Sequence, residues 1–271
     1  MSWISSLKSP GHITEALYHY NQARAGMNNG QNCVQVARSL FNALNKIQTE
    51  WKSHQTDAID GETNAFRTMI TSELSASDPP VLLNTEELEH LVRLEGLMMN
   101  HGTHNLHGYR PGLQTGPDLE TGPDLETDPD LQKSEPHEQL CKAVVPVQLL
   151  ILDVLLDSPQ HKLVVYGTLA PGNANNHMLS DLQGTWEHCK INGTLSESGG
   201  YPFFEWDPAG PSIDARLFIS DDLPAHWDRL DQFEGPEYIR TLIPARKNDG
   251  ICIANIYEMS MTGHLPVKKK N

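Results

Sequence analysis

Apolar positions recur at two different periods along this chain, and the change from one to the other divides it. Between residues 12 and 54 the spacing is helical. Ile13, Leu17 and Tyr20 share one face, Asn29-Gly30 interrupts, and Val34, Ala37, Leu40, Phe41, Leu44 and Ile47 form a second stripe. A third helical segment is expected near 62–74, with Phe66, Met69 and Ile70 together. Asp78-Pro79-Pro80 stops it, and Asn84 with Glu87 three residues on makes a capping box for a helix through Leu88, Leu91, Leu94 and Met98. From 161 to 260 the apolar runs are short, β-branched or aromatic, and bounded by Gly, Pro, Asn or Asp. Strands are expected over 163–166, 186–195, 201–206, 215–219, 238–244 and 251–257. Helices are expected over 175–182 and 223–233, the second N-capped by Ser220-Asp221-Asp222. Many strands and few helices indicate an α+β domain built on a curved or closed sheet.

Between these regions the pattern vanishes. Thr115-Gly116-Pro117-Asp118-Leu119-Glu120 repeats as Thr121-Gly122-Pro123-Asp124-Leu125-Glu126, then loosely as Thr127-Asp128-Pro129-Asp130-Leu131-Gln132. Proline and glycine at this density oppose a helix, and the charge opposes collapse. The organisation expected is therefore a helical region over 1–107, a disordered acidic Pro/Gly linker over 108–140, and an α+β domain over 141–271. A peptide motif for a partner is the other use of such a repeat.

Charge adds to this division. The formal net charge is −15. Residues 111–140 carry one Lys against eight Asp plus Glu, so this short connector holds nearly half of the excess. The acidity describes a solvated linker, and a nucleic-acid partner, which needs a basic surface, is not expected. Cys33, Cys141, Cys189 and Cys252 have no C-x-x-C spacing, so neither a zinc site nor a redox pair is expected. Cys33 opens a helix, a position that lowers a thiol's pKa, but no His-containing strand follows it, and a buried or capping cysteine is the reading. His101, His104 and His107 cluster before the linker without an acid or cysteine set to complete a metal site. No secretory signal is read at the start. The most apolar segment, 143–156, carries Pro146, Gln148 and Asp153 and is shorter than the roughly 20 residues that span a bilayer. No membrane association and a cytoplasmic location are the expectations.

Two features carry candidate chemistry. On the 223–234 helix, Leu223, Trp227 and Leu230 form an inward stripe that Glu234 extends, while Asp228, Arg229 and Asp231 fall off it and are expected to be solvated. Burial would raise the pKa of such a carboxylate toward neutrality, as suits a general base that later acts as an acid. Equally, Glu234 could cap a neighbouring strand or pair with Arg240. The second feature is the run from Val164 to Gly172. A strand that leads into Gly167-Thr168-Leu169 can turn successive amides outward to hold a carboxylate or an oxyanion. An ordinary strand-to-helix turn is the alternative.

Taken together these features resemble a known family. Val165-Tyr166-Gly167-Thr168-Leu169 with Pro171-Gly172, then Gly199-Gly200-Tyr201-Pro202, then Leu230-Asp231-Gln232-Phe233-Glu234-Gly235 with Tyr238 and Arg240, are similar in order and spacing to the gamma-glutamylcyclotransferase-like family over about residues 162–259. The resemblance implies a small mixed β-barrel with flanking helices, here preceded by the separate all-α region and the linker. It implies Glu234 as the catalytic acid/base, a substrate held by Tyr166, Gly167, Thr168, Leu169, Tyr201 and Tyr238, and no cofactor. The reaction implied converts the gamma-glutamyl group of a small amide or peptide to 5-oxoproline, releasing an amine; the alternative is a non-catalytic ligand-binding barrel. Ala215 stands where the family usually has glycine, which would narrow or shift the barrel. The leaving amine would be chosen by loops around 197–200 and 205–212. Residues 1–107 are unexplained by the resemblance and are the place to expect a protein partner.

Overall fold

The computed structural model describes residues 3–7, 10–31, 33–53, 135–198 and 201–259. The helices expected near 62–74 and after Asn84, the three histidines, the acidic repeats and the lysine-rich tail lie outside the described residues. Four α-helices are described: α1 (Gly11–Asn28), α2 (Cys33–Ser53), α3 (Glu135–Leu155) and α4 (Leu223–Glu234). The strands are β1 (Lys162–Val165), β2 (Thr185–Ser198), β3 (Tyr201–Trp206), β4 (Ser212–Ile219), β5 (Tyr238–Lys247) and β6 (Gly250–Met259). Helix α3 starts inside the stretch read as linker, at Glu135. No described helix is long and apolar enough to cross a membrane.

The strands form a mixed barrel. Along the sheet the order is β3-β2-β4-β1-β6-β5, and β5 returns to β2 at Lys190–Arg246, so five strands close on themselves. β1 and β6 run parallel; the other pairs are antiparallel. Strand β2 makes two partnerships: 185–192 pairs with β4, and 193–198 pairs with β3. Gly193 sits at the changeover, where a Cβ would collide with the Phe204 ring and the Glu205 carbonyl. Every second residue of a strand points inward. Val164, Cys189, Ile191, Ala215, Leu217, Ile243, Ala245, Cys252, Ala254 and Ile256 thus fill the interior with Phe204 from β3. Ala215, opposite Cys189, is one of several small residues in this core, as a narrow barrel requires.

Two outer faces of the barrel are covered. Leu163, Val165, Phe218 and Tyr257 pack under α4 and the loop residues Leu169, Leu179 and Leu182. Leu242, Ile251 and Ile253 pack under α1, α2 and α3, whose Ile13, Leu17, Leu40, Leu44, Ile47, Ile151, Leu152 and Leu155 form one core with them. Helices α1 and α2 therefore share a hydrophobic core with the β5–β6 hairpin. They are bonded to it as well. The Asn21 side chain accepts from the Leu242 amide (2.8 Å) and donates to the Leu242 carbonyl (2.9 Å), as a neighbouring strand would. Helix α1 follows Pro10, which offers no capping side chain, so Glu50 at the end of α2 accepts from the His12 amide instead (2.6 Å).

Several boundaries differ from the sequence pattern for local reasons. The helix expected over 175–182 is only a 3-10 turn, Asn176–Met178, because the asparagines before and within it bond back to the preceding loop. At the start of α4, Asp222 makes no side-chain cap. Its carboxylate accepts from the Gln183 amide (2.8 Å), and Ser220 Oγ accepts from the Asp222 amide (3.1 Å).

Candidate active site

The loop after β1 is held from outside. Tyr166 turns its ring into the barrel against Phe204 (5.5 Å between centroids), and its hydroxyl donates to the Tyr257 carbonyl (2.9 Å). Beyond it, Ala170 N–H bonds to the Gly167 carbonyl (3.1 Å) and Asn173 N–H to the Ala170 carbonyl (3.0 Å), coiling the chain into consecutive turns. Asn173 Nδ2 donates to the Gly167 carbonyl (2.9 Å) and Asn176 Nδ2 to the Leu169 carbonyl (3.0 Å). Asn175 bonds Thr168 twice, N–H to the carbonyl and Nδ2 to Oγ1, both at 3.0 Å. With their carbonyls fixed this way, the amides of Gly167, Thr168 and Leu169 donate to no backbone carbonyl of the described residues. Gly167 also lies against Pro202, whose Cγ would be 3.1 Å from a Cβ.

Helix α4 brings the acid. Leu223, Trp227 and Leu230 are buried as the stripe predicts, and Trp227 Nε1 donates to the Gln160 carbonyl (3.0 Å). Gly235, at φ +77°, ends the helix immediately after Glu234. Glu234 is partly buried, and among the described residues no partner stabilises its charge; loss of water pushes its pKa up to about 7. The alternative pairing with Arg240 does not occur. Arg240 instead grips Asp231 with two nitrogens (2.8 and 3.0 Å) and lies 4.2 Å from the centre of the Trp227 ring. Asp231, expected to be solvated, thus carries an ion pair and accepts from the Tyr257 hydroxyl (2.5 Å). Arg229 likewise binds Asp181 (2.8 Å) and the Met178 carbonyl (2.8 Å). Helical periodicity ranks faces, but these partners come from distant parts of the chain. Asp228 is exposed, as expected.

One cavity, of about 160 Å³, joins the two features. Tyr166, Gly167, Thr168, Leu169, Glu234 and Tyr238 all line it. Tyr201 begins β3, but its side chain lies outside the described residues, as do Gly199 and Gly200. The wall also includes Val164, Val165, Pro202 and Phe233, which lie within the motifs without a site role of their own, and Asn175 and Tyr257, which lie outside them. For Asn175 the signal was present, as asparagines crowded directly behind a glycine turn. For Tyr257 it was not, since β6 is buried on both faces and shows no alternation. Residues 205–212 contribute nothing to the wall. Among the described residues, Glu234 is the one charged side chain in it. The Tyr238 hydroxyl donates to the Pro202 carbonyl (3.2 Å), and its ring stacks with Phe203. Burial, followed by the nearby Tyr238 and Glu234, raises the Tyr166 pKa, so its phenol stays neutral. Among the described residues no cluster of three or more His, Cys, Asp or Glu is placed to hold a metal.

The raised pKa of Glu234 carries a stability signature. Its folded pKa, about 7, lies above the ordinary carboxylate value of 4.5. Between these values the folded state holds more protons than the unfolded one, so stability falls as pH rises through this window and levels off above it. Glu234→Gln removes the penalty. Relative to the unmodified protein, the variant should be equally stable near pH 4 and more stable at pH 8, by as much as about 3 kcal/mol. Urea unfolding of both proteins across that range measures the difference.

The fold is a closed mixed β-barrel in which Glu234 and the loop 167–169 line one cavity. Residues 163–270, about two-fifths of the chain, match the family model described as gamma-glutamyl cyclotransferase, AIG2-like. Residues 1–162 lie outside that match. YkqA of Bacillus subtilis is similar at 30% identity over 37% of this chain and 36% of its own, with a TM-score of 0.32. The chain thus spans about a third of the length of YkqA. An AIG2-like protein from Mus musculus is 17% identical over 39% of this chain and 80% of its own, with a TM-score of 0.33. An uncharacterised protein from Pyrococcus horikoshii is 17% identical over 38% and 80%, with a TM-score of 0.30. No curated protein matches the chain.

Proposed function

We propose that this protein is a gamma-glutamyl cyclotransferase-like enzyme that cyclises the gamma-glutamyl group of a small amide or peptide to 5-oxoproline and releases the amine. The observation carrying this reading is the single cavity shared by Glu234 and the amides of Gly167, Thr168 and Leu169. The amides bind the α-carboxylate or the oxyanion that develops on the γ-carbonyl. Folding the substrate over the loop sets its α-nitrogen against the γ-carbon, making attack an internal, entropically favoured step. Glu234, with a pKa of about 7, removes a proton from the α-ammonium. The nitrogen then bonds to the γ-carbon, and the bond from that carbon to the leaving nitrogen breaks. The α-nitrogen gives up two protons in all and the leaving nitrogen gains two, departing as an ammonium, with Glu234 as the relay. The hydroxyl protons of Tyr166 and Tyr238 are committed to carbonyls, so both rings serve as walls rather than acids.

The test is a panel of gamma-glutamyl amides and dipeptides incubated with the full chain and assayed for 5-oxoproline and free amine. Release of both in equal amounts is expected for at least one member. Silence across the panel, together with stabilisation by an uncleaved gamma-glutamyl compound, would replace the enzyme with a ligand-binding barrel.

A further inference from the structure

The strongest feature outside the cavity is a partly buried polar chain that starts on the N-terminal helix and ends at the helix carrying Glu234. Arg24 of α1 donates to Asn255 Oδ1 (3.1 Å). Asn255, on β6, is 1% exposed, and its Nδ2 donates to the carbonyls of Pro159 (2.7 Å) and Lys162 (3.3 Å), which fixes the amide's orientation. The same Oδ1 also accepts from Arg240 (3.4 Å), whose remaining nitrogens grip Asp231. Asp231 lies in the last turn of α4, three residues before Glu234. Two guanidinium groups thus share one neutral acceptor. Burial and the charge of Arg240 both lower the Arg24 pKa.

We propose that Arg24, on a helix outside the family-matched segment, is a positioning residue for Glu234. It occupies the Asn255 oxygen and repels Arg240, keeping the Arg240 fork on Asp231 and the last turn of α4 closed over the cavity. Without Arg24, Arg240 is free to divide itself between Asn255 and Asp231, and the turn loosens. Asn21 ties α1 to the same barrel through two bonds to Leu242. It belongs to no part of this chain of bonds and so provides the control. The inference rests on the preceding reading only in taking Glu234 as the working carboxylate.

The titration of Glu234 reports the effect without any substrate. The titratable groups beside it are the phenols of Tyr166, Tyr238 and Tyr257, which line the same cavity; around Arg24 they are Tyr20, Asp231, Arg240 and Tyr257. Carbon-13 NMR of side-chain-labelled glutamates, with Glu234 assigned by its absence in Glu234→Gln, gives the midpoint in the full chain. In Arg24→Gln the midpoint should fall by about one pH unit as water reaches the carboxylate, and in Arg24→Lys by less. The direction is diagnostic, because removing a positive charge would by itself raise a carboxylate's midpoint. Asn21→Ala should lower the melting temperature and leave the midpoint where it was. An unchanged or raised midpoint in folded Arg24→Gln overturns the proposal, as does an equal fall in Asn21→Ala. If Arg24→Gln does not fold, an unchanged midpoint in Arg24→Lys overturns it too. None of these results depends on whether 5-oxoproline is made.

Discussion

Glu234→Gln is expected to remove 5-oxoproline formation while leaving the barrel folded. Glutamine keeps the shape of the side chain and its place after Leu230 on the inward stripe of α4. What it loses is the ability to take a proton from the substrate ammonium and return one to the departing amine. General acid–base catalysis contributes roughly 100- to 10,000-fold, so turnover should drop by at least that range. Among the described residues no other charged side chain lines the cavity to take over. Binding should survive, because the amides of Gly167, Thr168 and Leu169 are untouched, so the loss should appear in kcat rather than KM. Rates from an amine-release assay, beside a circular dichroism spectrum and melting curve, test both halves. Near-normal turnover in a folded variant would sink the assignment of Glu234. Low turnover together with higher stability at pH 8 would tie the catalytic cost and the burial cost to one carboxylate.

Deleting residues 1–53 is expected to cost the protein its folded state. The deletion removes α1 and α2 and bares Leu242, Ile251 and Ile253, which are 1%, 2% and 0% exposed in the intact chain. It also strips the partners of Ile151, Leu152 and Leu155 on α3 and of Leu156 just after it. Each such side chain is worth about 1.5–3 kcal/mol when fully buried, and a domain has only about 5–15 kcal/mol in total. Baring seven of them would cost roughly 10–20 kcal/mol, as much as or more than that whole margin. The truncated chain should be insoluble, or should lack a cooperative melt and bind a hydrophobic dye. A cooperative melt close to that of the full chain would show that the barrel needs no helical cover. The expectation follows from a shared core: the helices are a wall of the barrel's β5–β6 face, whatever else they bind.

The elements most legible in the sequence were those whose periodicity was strong and local. The stripe Leu223-Trp227-Leu230 identified the buried face of α4 and gave Glu234 its direction before any fold was known. The β3 strand and the break at Asn29-Gly30 were readable for the same reason. The 175–182 region misled because helical composition there competes with asparagine side chains that prefer the carbonyls of the loop before them. Asp231 and Arg229 misled because a face turned away from the helix stripe can still meet a partner from elsewhere. Tyr257 was invisible because β6 is covered on both sides and so has no alternation to read.

The sequence by itself determined the kind of elements, the glycine-rich turn after β1 and the inward carboxylate, since each depends on side chains a few residues apart. Only the tertiary structure decided that Glu234 and residues 167–169 line one cavity, and that Arg240 holds Asp231 rather than Glu234. It also decided that Arg24 of α1 bonds to Asn255 of β6. Those facts join residues more than 60 positions apart in one case and more than 200 in another. They come from barrel closure and helix docking, which no local pattern encodes.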